Sequence, residues 1–296
     1  MSIFSLLKFI TSHPVNSDRK LRSIFRFAQW QISSRLAPGA IVHDWVGGAR
    51  FLVRTGDTGL TGNIYTGLHE FVDMGYLLHV LRSDDLFIDA GANVGSYTLL
   101  ACAAKGARGI AFEPVPSTWR RLVENVRLNG IEERVRCLNI GLGERDGTIL
   151  FTSGMDTVNH AIAADEKCDD AIEVEVSTLD GVVDAAVPTL MKIDVEGYET
   201  PVLQGASKLL ANQNLHSVIM ELNGSGNRYG FDEAEILSLM FDFGFKTYSY
   251  DPFKRDLVSL QGKNPASGNT LFIRNETLVR ERLKTAPKIA VLGKLL

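Results

Sequence analysis

The chain has 296 residues, of which 45% are hydrophobic and 22% are charged, with a mean hydropathy of +0.03. These values are ordinary for a globular domain and argue against a disordered chain or an integral membrane protein. The net charge of −4 provides no global positive field that would collect nucleic acid. Three widely spaced cysteines form neither a disulfide framework nor a CxxC metal motif, so we expect a cytoplasmic protein.

The first 66 residues predict an appendage of helix and short β hairpins. Residues 1 to about 38 carry a basic, amphipathic helical pattern that includes Leu21, Phe25 and Ile32 and ends at Pro38-Gly39. A helix packed on the main domain and peripheral association with a membrane surface or a partner all fit this pattern. Short β-type runs with Gly and Asp follow it. No apolar run reaches the roughly 18 residues that a membrane-spanning helix needs.

Beyond the appendage, helices and strands alternate in the manner of a parallel α/β sheet. The patterns predict strands at 87–90, 109–114, 135–141, 189–197, 216–223, 245–250 and 268–275, and helices at 67–81, 93–106, 115–130, 200–212 and 231–244. Residues 148–153 and 172–178 predict an inserted β segment. The repeated strand-helix-strand order implies right-handed crossovers and helices on both faces of the sheet. No helix separates the last two strands, so we expect them to pair antiparallel.

A strand-to-helix turn with the sequence DAGANVG follows the first of these strands. In open parallel sheets, ligands bind outside the carboxyl ends of the strands. Gly91 permits a sharp turn near a ligand, and Gly95 permits close packing at the start of the next helix. Dinucleotide-binding enzymes use the spacing GxGxxG at this place, whereas this turn reads GxNxG and is preceded by Asp89. A carboxylate there suits the ammonium of an amino acid better than a pyrophosphate.

A second acid, Glu113, ends the next strand, 24 residues after Asp89. A carboxylate at that distance and position accepts hydrogen bonds from the ribose hydroxyls of a bound nucleoside. Together, Asp89 and Glu113 predict a site for an amino acid that is joined to adenosine.

Five stretches in the expected order, within roughly residues 67–250, resemble the FkbM family of S-adenosylmethionine-dependent methyltransferases. They are FIDAGANVGSYTLL, AFEPVPSTWRRLVENVRLNG, STLDGVV, LMKIDVEGYETPVLQGASKLL and HSVIMELN. The resemblance implies a class I methyltransferase fold with a Rossmann-like, seven-stranded, mostly parallel sheet whose last strand is antiparallel. It also implies S-adenosylmethionine as the cofactor and O-methylation of a hydroxyl on a sugar, glycan or polyketide-like acceptor.

The resemblance also implies roles for individual residues. The family's loop for the methionine part of the cofactor matches Asp89, Gly91, Asn93 and Gly95. Glu113 matches the ribose acid, and Glu70 is expected near the methionine end of the cofactor. We predict that the methyltransferase domain spans residues 67–280, between the appendage and a C-terminal tail at 281–296.

Three acidic or basic residues are candidates for the chemistry itself. Methyl transfer from a sulfonium is an in-line displacement, and an aliphatic alcohol needs a base within hydrogen-bond reach. Asp194, at the end of the fourth core strand, is the first candidate for contact with cofactor or acceptor, and Glu196 is the next. His160, in the inserted β segment, is a candidate base of another kind because imidazole titrates near neutral pH.

Oxygen ligands for a divalent cation are also present, in Asp194, Glu196, Glu221 and Asn223. Their order in the sequence defines no geometry, and we predict no metal site.

Two other interpretations stay open at this point. A nicotinamide-dependent oxidoreductase on a similar sheet is disfavoured by the GxNxG spacing. An inactive methyltransferase-fold module is disfavoured because Asp89, Gly91, Gly95, Glu113 and Asp194 are all present together. The sequence identifies neither the acceptor nor the oligomeric state. We expect residues 1–66, the insertion at 146–178 and the glycine-rich loop 223–230 to shape the acceptor pocket.

Overall fold

A mostly parallel sheet runs through the centre of the molecule. The computed structural model describes residues 2–37, 39–57, 59–154, 159–163, 166–183 and 186–296. The helices are α1 Ile3–Ser12, α2 Lys20–Leu36, α3 Gly59–Thr66, α4 Phe71–Val80, α5 Ser96–Leu99, α6 Pro116–Leu128, α7 Leu179–Val182, α8 Glu199–Gln204, α9 Ser207–Ala211, α10 Glu233–Asp242 and α11 Glu276–Thr285. The strands are β1 Ile41–Asp44, β2 Arg50–Val53, β3 Leu86–Ala90, β4 Arg108–Phe112, β5 Val135–Leu138, β6 Gly141–Leu142, β7 Gly147–Thr152, β8 Ala171–Ser177, β9 Leu190–Ile193, β10 Ser217–Glu221, β11 Lys246–Asp251, β12 Asp256–Ser259, β13 Asn269–Ile273, β14 Ala290–Val291 and β15 Lys294–Leu295.

The strand order of the central sheet is β12-β11-β13-β10-β9-β3-β4-β5. Neighbours from β5 to β10 pair in parallel, whereas β13 pairs antiparallel with both β10 and β11. The seven predicted strands are present, with the last one antiparallel as predicted, and the short β12 extends the edge beyond them. The chain winds outward from β3 to β5 and then returns to β9, so the winding order reverses between β3 and β9. Ligands of open α/β sheets bind at such a reversal.

Apolar residues on both faces of the sheet explain why helices cover it on two sides. Side chains alternate along a strand, so Phe87 and Leu190 belong to one buried cluster while Ile88 and Met191 belong to the other. The first cluster is completed by α4 and the second by α8 and α10. Burial on both faces is the usual state of parallel strands.

The inserted β segment folds separately from the central sheet, as predicted. Strands β6, β8 and β7 form a three-stranded sheet in that order, in which β7 and β8 are antiparallel. Residues 155–158, 164 and 165 of this insertion lie outside the described residues.

The N-terminal segment contains two helices where the sequence pattern predicted one. A turn over 13–19 separates α1 from α2, and α2 ends at Leu36, before Pro38, which lies outside the described residues. Ile10 and Trp30 join the same buried cluster as Phe87. One hydrophobic core therefore includes residues from both sides of position 66. The predicted boundary between the appendage and the methyltransferase domain at this position stays a prediction.

The helix predicted over 200–212 is interrupted at Gly205, which separates α8 from α9. A Cβ on Gly205 would lie 2.0 Å from the carbonyl oxygen of Gly143 and 3.3 Å from the Thr178 Cβ. Glycine is required here because another segment of backbone passes directly against the chain. The sequence pattern did not reveal this crossing, because Gly143 is distant along the chain.

We expect Gly205→Ala to lower the free energy of unfolding by about 1–3 kcal/mol, the usual cost of forcing atoms into a packed site. Urea denaturation measures this change. Gly147→Ala is the matched control because nothing lies within 4 Å of its added Cβ. Equal losses of stability in the two variants would contradict the crossing as the reason for the glycine.

Candidate active site

A cavity of about 960 Å³ opens at the carboxyl ends of β3, β4 and β9. The predicted site residues that line it are Glu70, Asp89, Gly91, Asn93, Glu113, Asp194 and Glu196. Gly95 and His160 are the two predicted residues that do not line it. The topology thus brings together acids that are separated by more than a hundred residues in the sequence.

The turn after β3 depends on left-handed backbone at three positions, with φ values of +81° at Gly91, +50° at Asn93 and +97° at Gly95. A Cβ on Gly91 would lie 1.8 Å from the Asp194 backbone oxygen, so the loops after β3 and β9 touch and exclude any side chain there. A Cβ on Gly95 would lie 2.6 Å from Leu122 Cδ1 on α6. This contact confirms the close helix packing predicted at Gly95.

Asp89 is buried at the end of β3, and the Thr98 hydroxyl donates a hydrogen bond of 2.6 Å to its Oδ2. Burial raises the pKa of Asp89, while the nearby Lys192 opposes that shift. The carboxylate is therefore held in place by the helix that follows its own turn.

Glu113 is buried at the end of β4 and supports the same turn from the other side. Its Oε2 accepts a hydrogen bond from the Asn93 backbone N–H at 2.9 Å, and its Oε1 accepts one from Val115 at 3.0 Å. Burial raises the pKa of Glu113 to about 7, although both hydrogen bonds favour the charged form. Each oxygen of the Glu113 carboxylate can accept a further hydrogen bond, so Glu113 can still bind a hydrogen-bond donor of a ligand in the cavity.

A buried cation neutralises part of this acidic cluster. Lys192 Nζ donates to Asp194 Oδ2 at 2.5 Å and lies 4.6 Å from the centre of the Tyr97 ring. Burial acts to lower the pKa of Lys192, but the carboxylates of Asp194 and Glu70 raise it above its ordinary value. The ion pair with Asp194 therefore holds the Lys192 ammonium beside the buried carboxylates.

Glu196 lies in the loop after β9 with a φ of +55°. Burial, followed by the charges of Asp194 and Glu199, raises the pKa of Glu196 to about 7. Glu199 begins α8, and its Oε1 accepts hydrogen bonds of 3.2 Å from the backbone N–H groups of Val195 and Gly197. Glu199 thereby shapes the loop that presents Glu196 to the cavity.

Glu221, at the end of β10, completes a group of three carboxylates. Ligand atoms of Asp194, Glu196 and Glu221 lie within 4.8 Å of one another. Burial, followed by the charges of Asp194 and Glu196, raises the pKa of Glu221 to about 9. Asn223 Oδ1 accepts a hydrogen bond of 2.9 Å from the Ser225 backbone N–H. Three carboxylates at this spacing suit a divalent cation, so the expected absence of a metal stays a prediction.

Glu70 and His160, the two remaining predicted residues, differ in their position relative to the cavity. Glu70 lines the cavity, where its Oε1 accepts a hydrogen bond of 2.7 Å from Asn269 Nδ2. His160 is buried, with its Nε2 2.9 Å from Glu166 Oε1. Thr157 and Val158, which precede it in the TVNHAI stretch, lie outside the described residues. The catalytic role of His160 stays a prediction.

The cavity extends well beyond the acidic side chains. Residues of the first 66 positions line its far side, namely Leu6, Phe9, Trp30, Gln31, Ser34, Arg35, Thr55, Gly56, Asp57, Gly59, Leu60, Thr61, Gly62, Asn63 and Tyr65. Gln31 Nε2 donates to the Tyr65 hydroxyl at 2.9 Å. Phe151 and Asn159 line it from the inserted segment, whereas no described residue of the loop 223–230 does.

Sequence reasoning expected the first 66 residues and the insertion to shape a pocket but could not say which side chains face it. Tyr97 was missed entirely, although its place in the first turn after Gly95 is a signal that could have identified it.

The strand order, with β13 antiparallel between β10 and β11, and the acidic cavity at the winding reversal define a methyltransferase with a class I, Rossmann-like fold. The family profile described as "Methyltransferase FkbM domain" matches residues 89–247. The chain therefore belongs to the FkbM methyltransferase family.

Two curated relatives of this chain are also named as methyltransferases. The hexuronic acid methyltransferase AglP of Haloferax volcanii is 30% identical over 177 residues, which cover 58% of this chain and 67% of the relative. The methyltransferase sdnD of Sordaria araneosa is 30% identical over 209 residues, which cover 59% and 79% of the two chains. A solved structure, the precorrin-6y C5,15-methyltransferase from Geobacter metallireducens, aligns with a TM-score of 0.41 at 11% identity over 75% of this chain and 92% of its own.

Proposed function

We propose that the chain is an S-adenosylmethionine-dependent O-methyltransferase that acts on a hydroxyl of a sugar, glycan or polyketide-like acceptor. The observation that carries this proposal is the placement of two buried carboxylates, Asp89 and Glu113, at adjacent strand ends in one cavity. Membership of the FkbM family supports methyl transfer. The name of the Haloferax relative, a hexuronic acid methyltransferase, supports a sugar acceptor.

The residues in the cavity suit S-adenosylmethionine chemically. Glu113 has acceptor capacity left for the ribose hydroxyls, and Asp89 and Glu70 offer negative charge for the ammonium group. Ile140 and Leu142 supply apolar lining for the adenine ring. When bound, this cofactor provides an electrophilic methyl group and a thioether leaving group.

Glu196 is the residue that we assign as the general base. The acceptor hydroxyl must lose its proton as its oxygen forms the bond to the methyl carbon, and a base is most effective when its pKa lies near the working pH. Burial and the neighbouring Asp194 and Glu199 raise the pKa of Glu196 to about 7. Asp194 is less suited to this step because Lys192 already donates to one of its oxygens. We assign Asp194 to contact with the cofactor or the acceptor.

The role of Glu113 predicts a specific loss of cofactor affinity. We expect Glu113→Ala to weaken binding of S-adenosylhomocysteine by about 1–3 kcal/mol, since hydrogen bonds to a charged group are lost. Calorimetric titration of the purified chain measures the change. Glu113→Gln serves as a second variant, and Glu133→Gln, an exposed acid, is the matched control.

Thermal unfolding of each variant establishes that the chain is folded before it is titrated. Wild-type affinity in both folded Glu113 variants would remove Glu113 from the ribose. Binding of NADH in place of S-adenosylhomocysteine by the wild-type chain would contradict the proposed cofactor.

The role of Glu196 predicts a dependence of rate on pH. The carboxylate must be deprotonated to act as a base, so kcat/KM for the acceptor, measured at saturating S-adenosylmethionine, should rise about tenfold per pH unit below about pH 7 and level off above it. Glu196→Gln should lower kcat by roughly 10²- to 10⁴-fold and remove this rise, with unchanged affinity for S-adenosylhomocysteine.

Glu175→Gln, at an exposed position on β8, is the control for Glu196→Gln and should retain the wild-type profile. His160→Gln separates the two candidate bases. If His160→Gln abolishes the pH dependence while Glu196→Gln keeps it, the base is His160 and the assignment of Glu196 is wrong.

The acceptor class is tested by incubating the chain with S-adenosylmethionine and uronic acid-containing oligosaccharides, followed by mass spectrometry. We expect each product to gain the mass of one CH₂ unit. The added methyl should survive mild alkali, because alkali does not hydrolyse the methyl ether formed on a hydroxyl. An added methyl that alkali removes would lie on a carboxylate and contradict the hydroxyl assignment. Heat-denatured protein provides the control.

A further inference from the structure

Helix α2 presents large apolar side chains to solvent. Four residues on one face are strongly exposed, with exposed fractions of 84% at Leu21, 70% at Phe25, 62% at Ile32 and 78% at Leu36. Their spacing of four, seven and four residues places them in a single line along a helix of 3.6 residues per turn. We refer to these four residues as the apolar face of α2.

The opposite side of α2 is the one that packs against the protein. Ser23, Trp30 and Ser34 are the buried residues of this helix, and two of these three are small and polar. Phe27 and Trp30 contact the core from this inner side, so α2 carries large apolar side chains on its outer face as well as on its inner face. Folding of this chain alone therefore does not account for the apolar face, and a large exposed apolar patch is typical of a surface that meets a partner or a membrane.

Positive charge accompanies these side chains. Residues 2–37 contain six Lys and Arg but a single acid, Asp18, in a chain whose overall charge is −4. Asp18 lies 2.8 Å from Lys294 Nζ, so its charge is already paired. Arg22 and Arg35 flank the apolar face on either side and are exposed. A helix with this combination suits the interface of an anionic lipid bilayer.

We propose that the apolar face of α2 docks on an anionic lipid bilayer, lying in the plane of its surface. Exposed Ile3 and Phe4 on α1 add further apolar side chains to the same segment. A second copy of the chain is a poorer occupant, because a symmetric contact through α2 would bring Arg22 and Arg35 of both copies together. Within the described parts of the chain, no helix combines the length and apolar character needed to cross a bilayer.

Docking through α2 would place the cavity close to the lipid surface. Trp30 and Gln31 line the cavity from the same helix, and Leu6 and Phe9 line it from α1. A helix with its side chains is about 10 Å thick, so the cavity would lie roughly that far from the headgroups. An acceptor carried on a lipid would then be within reach.

Vesicle flotation with the full chain tests the proposal without requiring turnover. We expect the wild type to float with vesicles of phosphatidylcholine containing about a quarter phosphatidylglycerol and much less with phosphatidylcholine alone. The double variant Phe25→Ser/Ile32→Ser should bind about tenfold less. Phe241→Ser/Val258→Ser, which changes apolar residues exposed elsewhere, is the matched control and should bind as the wild type.

Charge is tested separately with Lys20→Gln/Arg22→Gln against Lys208→Gln/Arg120→Gln. We expect severalfold weaker flotation for the first pair alone, and weaker flotation of the wild type at high salt. Circular dichroism confirms that each variant is folded.

Three results would overturn the proposal. The first is that the wild type does not float with anionic vesicles, and the second is that Phe25→Ser/Ile32→Ser floats as well as the wild type. The third is that the wild type sediments as a dimer and Phe25→Ser/Ile32→Ser as a monomer, while both bind vesicles equally. Because binding is measured without cofactor or acceptor, failure here leaves the proposed methyl transfer untouched.

Discussion

Burial of several carboxylates at one edge of a parallel sheet is the constraint on which the rest of this structure depends. Like charges brought together away from water are costly unless protons, cations or backbone N–H groups compensate them. Here Lys192 pairs with Asp194, backbone N–H groups bond to Glu113, and the pKa values of Glu113 and Glu196 rise to about 7. The site therefore keeps binding capacity for a cationic ligand, whose charge would relieve the repulsion that remains.

The apolar clusters on both faces of the sheet supply the rigidity that this edge needs. Strands buried on two sides cannot shift to move their ends apart without exposing core residues such as Phe87 and Ile88. The contact between Gly91 and the Asp194 backbone oxygen then sets how closely the loops after β3 and β9 approach. The positions of the carboxylates thus depend on the packing of the apolar clusters against the strands that carry them.

The N-terminal helices link the two proposals made for this chain. Their inner side lines the cavity through Phe9 and Trp30, while their outer side carries the apolar face of α2. A single pair of helices would therefore both bound the acceptor side of the site and hold it against a lipid surface. Such coupling suits an amphiphilic acceptor, since its apolar part could stay in the bilayer while its hydroxyl enters the cavity.

Short-range sequence patterns were sufficient to predict several features of this protein. These are the order of strands and helices, the GxNxG turn, and the position of the acids Asp89 and Glu113 at strand ends. These features depend on residues close together in sequence, where periodicity and backbone preference act directly. Only tertiary structure decided the break at Gly205, the proximity of Glu221 to Asp194, and the direction in which α2 turns its apolar residues. Each of these depends on contacts between distant segments, because solvent exposure and charge repulsion are properties of the assembled fold rather than of local sequence.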